Sequence, residues 1–123
     1  MESPVLGFSH VQLCVHNVPD SVEWYCTALG MEVMSEHGDV VALRHRDARL
    51  VIVVSPGEPD VDHSPIDHLA FGVADGPTLE AWAAHLRVCG LEVPEVIDEL
   101  GKPSLQLRDP DGNAVELVAP APR

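Results

Sequence analysis

The chain has 123 residues, 46% of them hydrophobic, which suits one compact domain with a sizeable core and leaves no room for a second domain of ordinary size. Its 20 acidic against 7 basic residues give a formal charge of -13, which excludes nucleic acid and anionic membrane surfaces as partners. The three cysteines form no CxxC pair, and neither a membrane-spanning run nor a secretory signal is recognisable, so we expect a cytoplasmic protein with free thiols.

The first half of the sequence predicts a strand, a helix and three further strands. The stretch Phe8 to Val15 largely alternates apolar and polar residues and ends at a cluster of Asn, Pro and Asp at 17–20 that can begin a helix. We predict this helix from about Asp20 to Leu29, with Gly30 as its stop. Short β-favouring runs follow at 31–35, 40–43 and 50–54.

The second half repeats this order after a linker at 56–65, whose prolines and glycine cannot propagate a helix. An apolar strand is predicted at Ile66 to Val73, and a helix at Pro77 to Cys89 is stopped by Gly90. The last predicted elements are strands at about Ser104 to Leu107 and Ala114 to Val118, joined by the Asp109 to Asn113 turn.

An internal duplication supports this division. Gly30-Met31-Glu32-Val33 matches Gly90-Leu91-Glu92-Val93, and Arg46-Asp47 matches Arg108-Asp109, so the repeat has a period near 60 residues. We therefore predict one α+β domain made of two βαβββ modules, at about 7–55 and 66–119. Each module leaves one sheet face apolar, so the modules are expected to bury these faces and share a cleft.

Three candidate metal ligands occupy matching or complementary places in this duplication. His10 and His68 lie near the start of the first strand of each half, and Glu116 lies in the last strand. Alternation puts Gln12 and Cys14 on the same face as His10. If the two sheets meet face to face, both imidazoles can point into one cavity, and the carboxylate completes a set that leaves coordination positions open. We predict one divalent ion, Fe, Mn, Zn or Ni.

Four fragments, in this order and spacing, carry a family resemblance: Gly7-Phe8-Ser9-His10, Trp24 to Gly30, Asp67 to Phe71, and Leu107 to Glu116. Together they resemble the vicinal oxygen chelate superfamily, which includes glyoxalase I, extradiol dioxygenases, fosfomycin-resistance enzymes and bleomycin-resistance proteins. The resemblance implies paired βαβββ modules around a U-shaped cavity, a substrate whose adjacent oxygen atoms chelate the metal, and a homodimer. It also implies that the metal ligands are His10, His68 and Glu116.

The sequence departs from the main subgroups of this superfamily. Glyoxalase I takes a fourth ligand from the last strand of its first half, where this chain offers only the apolar residues 51–53. Extradiol dioxygenases carry a His and a Tyr before the Asp-Pro-x-Gly turn, whereas here 97–99 contains no His and Gln106 takes the Tyr place. Fosfomycin-resistance enzymes add a basic cluster, for which Lys102 and Arg108 are the nearest candidates.

Three hypotheses follow. In the first, the protein is an enzyme whose metal ion acts as a Lewis acid on a small oxygen-chelating substrate, by isomerisation, dioxygenation or epoxide opening. In the second, the same cavity sequesters an antibiotic or other hydrophobic ligand without chemistry, which an acidic surface would suit if the ligand is cationic. In the third, the histidines no longer bind anything.

Other residues have simpler interpretations. His45 is either an acid or base at the cavity rim or a surface residue. The aromatic residues of the predicted helices are interpreted as part of the core: Trp24, Tyr25 and Trp82.

Overall fold

A computed structural model describes residues 2, 9–58 and 68–122, and these form the order βαβββ twice. The chain separates into two compact units, residues 1–58 and 59–123, with one four-stranded sheet and one helix described in each. The predicted α+β class and the repeated βαβββ order are confirmed. Among the described residues, neither helix has the length and apolar character needed to cross a membrane.

The first unit places its single helix against the middle of its sheet. Its strands follow the order β1-β4-β3-β2, with β1 parallel to β4 and the other pairs antiparallel. The helix contacts β3 and β4 and buries Ser21, Tyr25 and Ala28, which share one helical face. The elements are β1 (Val11–Val15), α1 (Val18–Leu29), β2 (Glu32–His37), β3 (Val40–His45) and β4 (Leu50–Pro56).

The second unit has the same topology. Its strands follow the order β5-β8-β7-β6, with β5 parallel to β8. Leu79, Ala83 and Leu86 of its helix are fully buried, as is Leu105 of β7, which the helix contacts. The elements are β5 (Leu69–Gly72), α2 (Gly76–Val88), β6 (Ile97–Glu99), β7 (Lys102–Arg108) and β8 (Ala114–Val118). The predicted strand starts Phe8 and Ile66, and most of the predicted linker, lie outside the described residues.

Both helices begin at a side-chain cap. Asn17 Oδ1 accepts a hydrogen bond from Asp20 N at 3.0 Å, and Asp75 Oδ1 accepts one from Thr78 N at 2.8 Å. The cap starts α1 at Val18, two residues before the predicted position. Asn17 and Asp75 are 58 residues apart, as His10 and His68 are, so the caps and the histidines match between the two halves of the sequence at the same offset.

The strand that follows α2 does not lie where the duplication suggests. The repeat aligns 91–93 with the start of β2, but β6 begins at Ile97. Arg87 of α2 explains the later start of β6 along the chain, because its guanidinium donates to the carbonyl oxygens of Val93 at 3.4 Å and Pro94 at 2.9 Å. Pro94 also has no N–H to give to a strand ladder. These contacts hold the backbone at 93–94 against α2, so β6 begins only at Ile97.

The turn between β7 and β8 is organised by one buried carboxylate. Asp109, only 5% exposed, accepts hydrogen bonds at Oδ1 from the backbone N–H groups of Asp111 at 3.0 Å and Asn113 at 2.8 Å. Its Oδ2 accepts a third from the side-chain amide of Asn113 at 3.0 Å. Gly112 adopts a φ of 83°, a conformation that favours glycine. The turn therefore fixes the register of β7 relative to β8.

Candidate functional site

A cavity of about 340 Å³ lies in the second unit, on the sheet face turned away from α2. Alternation along β7 separates the two faces: Leu105 and Leu107 are buried, whereas Gln106 and Arg108 are exposed. The lining is mostly polar and comes from β7, β8, the end of β6 and the residue before β5. Its members are His68, Glu99, Gln106, Leu107, Arg108, Ala114 and Glu116.

His68 and Glu116 meet at this cavity. His68 immediately precedes β5, and the parallel pairing of β5 with β8 sets Ala70 opposite Glu116, so the imidazole reaches the carboxylate from the strand end. His68 Nε2 lies 3.3 Å from Glu116 Oε2. The side chain of His68 is 44% exposed and that of Glu116 only 15% exposed. The structure thus brings together two of the three predicted ligands, at a solvent-accessible edge.

Ser104 secures the other oxygen of Glu116. The Ser104 hydroxyl is fully buried and donates to Glu116 Oε1 at 2.9 Å. Both carboxylate oxygens are therefore engaged, which explains how a mostly buried carboxylate is tolerated between Val115 and Leu117 in an apolar strand. With Oε1 held by Ser104, Oε2 is the oxygen presented to His68.

The distance between the two donor atoms fits a metal ion. Nitrogen and oxygen ligands of zinc-like ions lie about 2.0–2.2 Å from the ion, which places two adjacent ligand atoms about 3.0–3.5 Å apart. The separation of 3.3 Å between His68 Nε2 and Glu116 Oε2 falls in this range. One imidazole and one carboxylate are also the ligand types expected for the predicted ions. The pair has the chemistry and spacing of two neighbouring ligands.

His10 occupies the equivalent position in the first unit. It immediately precedes β1, as His68 precedes β5, and its side chain is exposed. His10 Nδ1 lies 3.2 Å from Ser9 Oγ, an arrangement in which Nε2 is the nitrogen left to bind a ligand. Within each unit, the described residues gather no group of three or more His, Cys, Asp or Glu able to hold one ion. The three-residue set with His10 therefore stays a prediction.

The equivalence of the units also locates the counterpart of Glu116. In the second unit Glu116 lies opposite Ala70, two residues after His68. In the first unit the residue two positions after His10 is Gln12, and it lies opposite Val53. Val53 is thus the structural counterpart of Glu116, and it offers no ligand atom. This register places an apolar residue where a second, symmetry-related carboxylate would stand.

The other polar candidates of the first unit have local partners. Gln12 and Cys14 share the exposed side of β1, as predicted, and Gln12 Nε2 donates to Ser55 Oγ at 3.4 Å. His45 Nδ1 accepts from the backbone N–H of Ala48 at 3.2 Å, so its ring caps the turn after β3. This contact gives His45 a structural role in the turn.

Two arginines of the first unit contact Glu32. Arg46 Nε lies 2.7 Å and Arg44 Nε 3.0 Å from Glu32 Oε1. These two guanidinium groups, Arg46 more than Arg44, hold the pKa of the Glu32 carboxyl below its usual range. The arginines are thus occupied by an internal carboxylate on the exposed edge of the sheet.

Two residues of the candidate site, Ser104 and Glu99, are not predicted from the sequence as site residues. The sequence places Ser104 only in a strand, and the segment that contains Glu99 is notable there only for its lack of a histidine. A signal for Ser104 lies in the alternation along β7, because Lys102, Ser104, Gln106 and Arg108 alternate with Pro103, Leu105 and Leu107. Polar residues at every second position indicate a half-buried strand, which places Ser104 on the same face as Gln106. Glu99 lies in β6, outside this pattern.

Comparisons with known proteins agree with this architecture. The family model described as Glyoxalase/Bleomycin resistance protein/Dioxygenase superfamily matches residues 7–117. A catechol-2,3-dioxygenase from Bacillus subtilis (strain 168) is 24% identical in an alignment of 119 residues that covers 93% of this chain and 41% of that protein. The chain thus spans about two fifths of the length of this curated relative.

Two solved structures show the same fold at low identity. A glyoxylase/bleomycin resistance protein/dioxygenase domain from Frankia sp. EAN1pec superposes with a TM-score of 0.79 at 24% identity, over 94% of this chain and 92% of that chain. A lactoylglutathione lyase from Agrobacterium tumefaciens superposes with a TM-score of 0.75 at 18% identity, over 95% of this chain and 96% of that chain. At these identities the likeness concerns the fold.

Proposed function

Because the chain belongs to the Glyoxalase/Bleomycin resistance protein/Dioxygenase superfamily, we propose that it is a metal-dependent enzyme acting on a small molecule with two adjacent oxygen atoms. One observation carries this proposal: His68 Nε2 and Glu116 Oε2 lie 3.3 Å apart at the edge of a cavity of about 340 Å³. A cavity of this size suits a small ligand. Isomerisation, dioxygenation and epoxide opening are the reaction types compatible with such a site.

In this proposal one divalent ion, Fe, Mn, Zn or Ni, is held by His68, Glu116 and His10. His10 is included because it stands at the position equivalent to His68 and because Ser9 can fix its ring through Nδ1. Three protein ligands leave positions for substrate oxygen atoms. When bound, the ion supplies a Lewis acid that polarises those oxygen atoms.

The chain's own residues prepare the site. The Ser104 hydroxyl keeps Glu116 Oε1 occupied, so the carboxylate is directed through Oε2. Arg108 donates to the carbonyl oxygen of Gly112 at 3.1 Å, which holds its positive charge at the cavity wall, where it can orient an anionic group of the substrate. The proposed homodimer rests on the family resemblance and is measured by sedimentation of the purified protein.

The test uses 4-nitrocatechol, a coloured probe with two adjacent hydroxyl groups, and protein freed of metal by a chelator. We expect the zinc-loaded protein to bind the probe with an optical change, and the metal-free protein to bind it at least about tenfold more weakly, because chelation contributes only when the ion is present. Spectrophotometric titration of both forms measures this difference.

The control is the same titration with the dimethyl ether of 4-nitrocatechol, which keeps the nitro-substituted ring but cannot lose a proton to chelate. Equal affinity of the metal-free and zinc-loaded proteins for 4-nitrocatechol would contradict the enzyme proposal. That outcome would favour the sequestering function, in which the cavity alone holds the ligand. The acidic character of the chain, with a formal charge of -13, would then point to cationic ligands.

A further inference from the structure

The cavity contains a second carboxylate, Glu99, which lies outside the proposed ligand set. Glu99 ends β6, and its Oε2 accepts a hydrogen bond from Gln106 Nε2 at 2.8 Å. In the sheet Glu99 lies opposite Lys102, so its side chain reaches four residues along β7 to meet Gln106. This bond draws the carboxylate along the strand to the cavity that His68 and Glu116 also line.

The two carboxylates of the cavity are held in different ways. Glu116 has both oxygens engaged, one by Ser104 and one by His68. Glu99 is held by Gln106 through Oε2, which leaves Oε1 to accept a proton. Glu99 is exposed, whereas the side chain of Glu116 is only 15% exposed. One carboxylate is thus placed to stay fixed, and the other to exchange a proton with a bound molecule.

The charged neighbours of Glu99 in the cavity do not duplicate this capacity. His68 and Glu116 contact each other and are the proposed ligands. Arg108 carries no proton that it can give up near neutral pH, and its guanidinium is tied to the Gly112 carbonyl. Among the residues that line the cavity, Glu99 is therefore the group best suited to proton transfer.

We propose that Glu99 takes a proton from the bound substrate and that Gln106 positions it, an inference that rests on the proposed function. The substrate class is a small molecule with two adjacent oxygen atoms and an acidic O–H or C–H bond. That bond breaks, its proton moves to Glu99 Oε1, and its electron pair stays on the substrate. The protonated Glu99 later returns the proton to the product or to water, which restores the carboxylate.

The test follows the ionisation of bound 4-nitrocatechol, whose visible spectrum changes when it loses protons. In the zinc-loaded protein, held at a pH where the free probe is protonated, we expect Glu99→Gln to slow proton loss from the bound probe at least about tenfold, because the acceptor is lost. Stopped-flow absorbance measures this rate. Gln106→Leu should slow it less, since the carboxylate is kept but its position is lost. Zinc affinity, measured by equilibrium dialysis, should stay within about twofold of the unmodified protein in both variants.

Glu92→Gln is the matched control, because Glu92 is an exposed glutamate of the same unit that does not line the cavity. It should leave the rate of proton loss from the probe unchanged. An unchanged rate in Glu99→Gln would overturn the role of Glu99, and so would loss of zinc binding, which would make Glu99 a support of the ligand pair. Failure of the unmodified zinc-loaded protein to bind the probe would instead overturn the proposed function, and this inference with it.

Discussion

Replacing His68 by alanine is expected to abolish binding of the divalent ion while leaving the fold intact. The imidazole would be lost from a pair of donor atoms 3.3 Å apart, and the two remaining proposed ligands, Glu116 and His10, cannot hold the ion at the same affinity. Loss of a group that merely orients a ligand weakens metal binding about 10- to 100-fold, so loss of a ligand should exceed this. The side chain is 44% exposed and contributes little to the core.

Elemental analysis after reconstitution measures the metal content, and circular dichroism measures the fold. His85→Ala is the control, because His85 is an exposed histidine of α2 that stacks on Trp82 and lies outside the cavity lining. This variant should bind as much metal as the unmodified protein. A fully loaded His68→Ala protein would contradict the assignment of His68 as a ligand.

Replacing Asp109 by alanine is expected to lower the free energy of unfolding by about 2–4 kcal/mol. Three hydrogen bonds lose their acceptor, two from backbone N–H groups and one from the Asn113 amide, and each donor left without a partner costs about 1–3 kcal/mol. Access of water to this turn should reduce the sum. Because the turn joins β7 to β8, the loss also loosens the strands that carry Ser104 and Glu116.

Chemical denaturation of Asp109→Ala and Asp47→Ala provides a matched comparison. Asp47 is the counterpart of Asp109 in the duplicated sequence, but it is exposed in the turn between β3 and β4. Its replacement should change the free energy of unfolding by less than about 0.5 kcal/mol. Equal effects of the two substitutions would show that the buried network around Asp109 does not set the stability of the turn.

The fold was predictable where local signals and burial agreed. Strand β8 has the predicted bounds, Ala114–Val118, because its alternation and the preceding turn residues point to the same structure. The start of α1 was two residues off, since the cap at Asn17 already starts the helix at Val18. The position of β6 was not predictable from the repeat, because hydrogen bonds from Arg87 to a distant backbone segment determine it.

The residues of the candidate site also fall into two groups, those that the sequence predicts and those that it does not. The proximity of His68 and Glu116 is expected from the sequence, because the family resemblance implies that both are metal ligands, and the structure shows them in contact. Ser104 and Glu99 act through side-chain contacts across neighbouring strands, and neither contact is encoded in a local spacing. The third predicted ligand, His10, belongs to the other unit, so its role stays a prediction.

The duplicated units have diverged in a way that bears on function. The first strand of each unit is preceded by a histidine, but the last strand carries Val53 in one unit and Glu116 in the other. Val53 offers no ligand atom, so the metal site proposed above has two imidazoles and one carboxylate. Three protein ligands leave coordination positions open to a substrate with two oxygen atoms.

The measurement that tests the central claim most directly is the metal content of the unmodified protein, purified without chelators and without nickel affinity resin, beside Glu116→Ala. We expect about one equivalent of iron, manganese, zinc or nickel per chain, and its loss in the variant, because the carboxylate that Ser104 orients toward His68 is gone. An unmodified protein that contains no metal and takes up none on reconstitution would contradict the account.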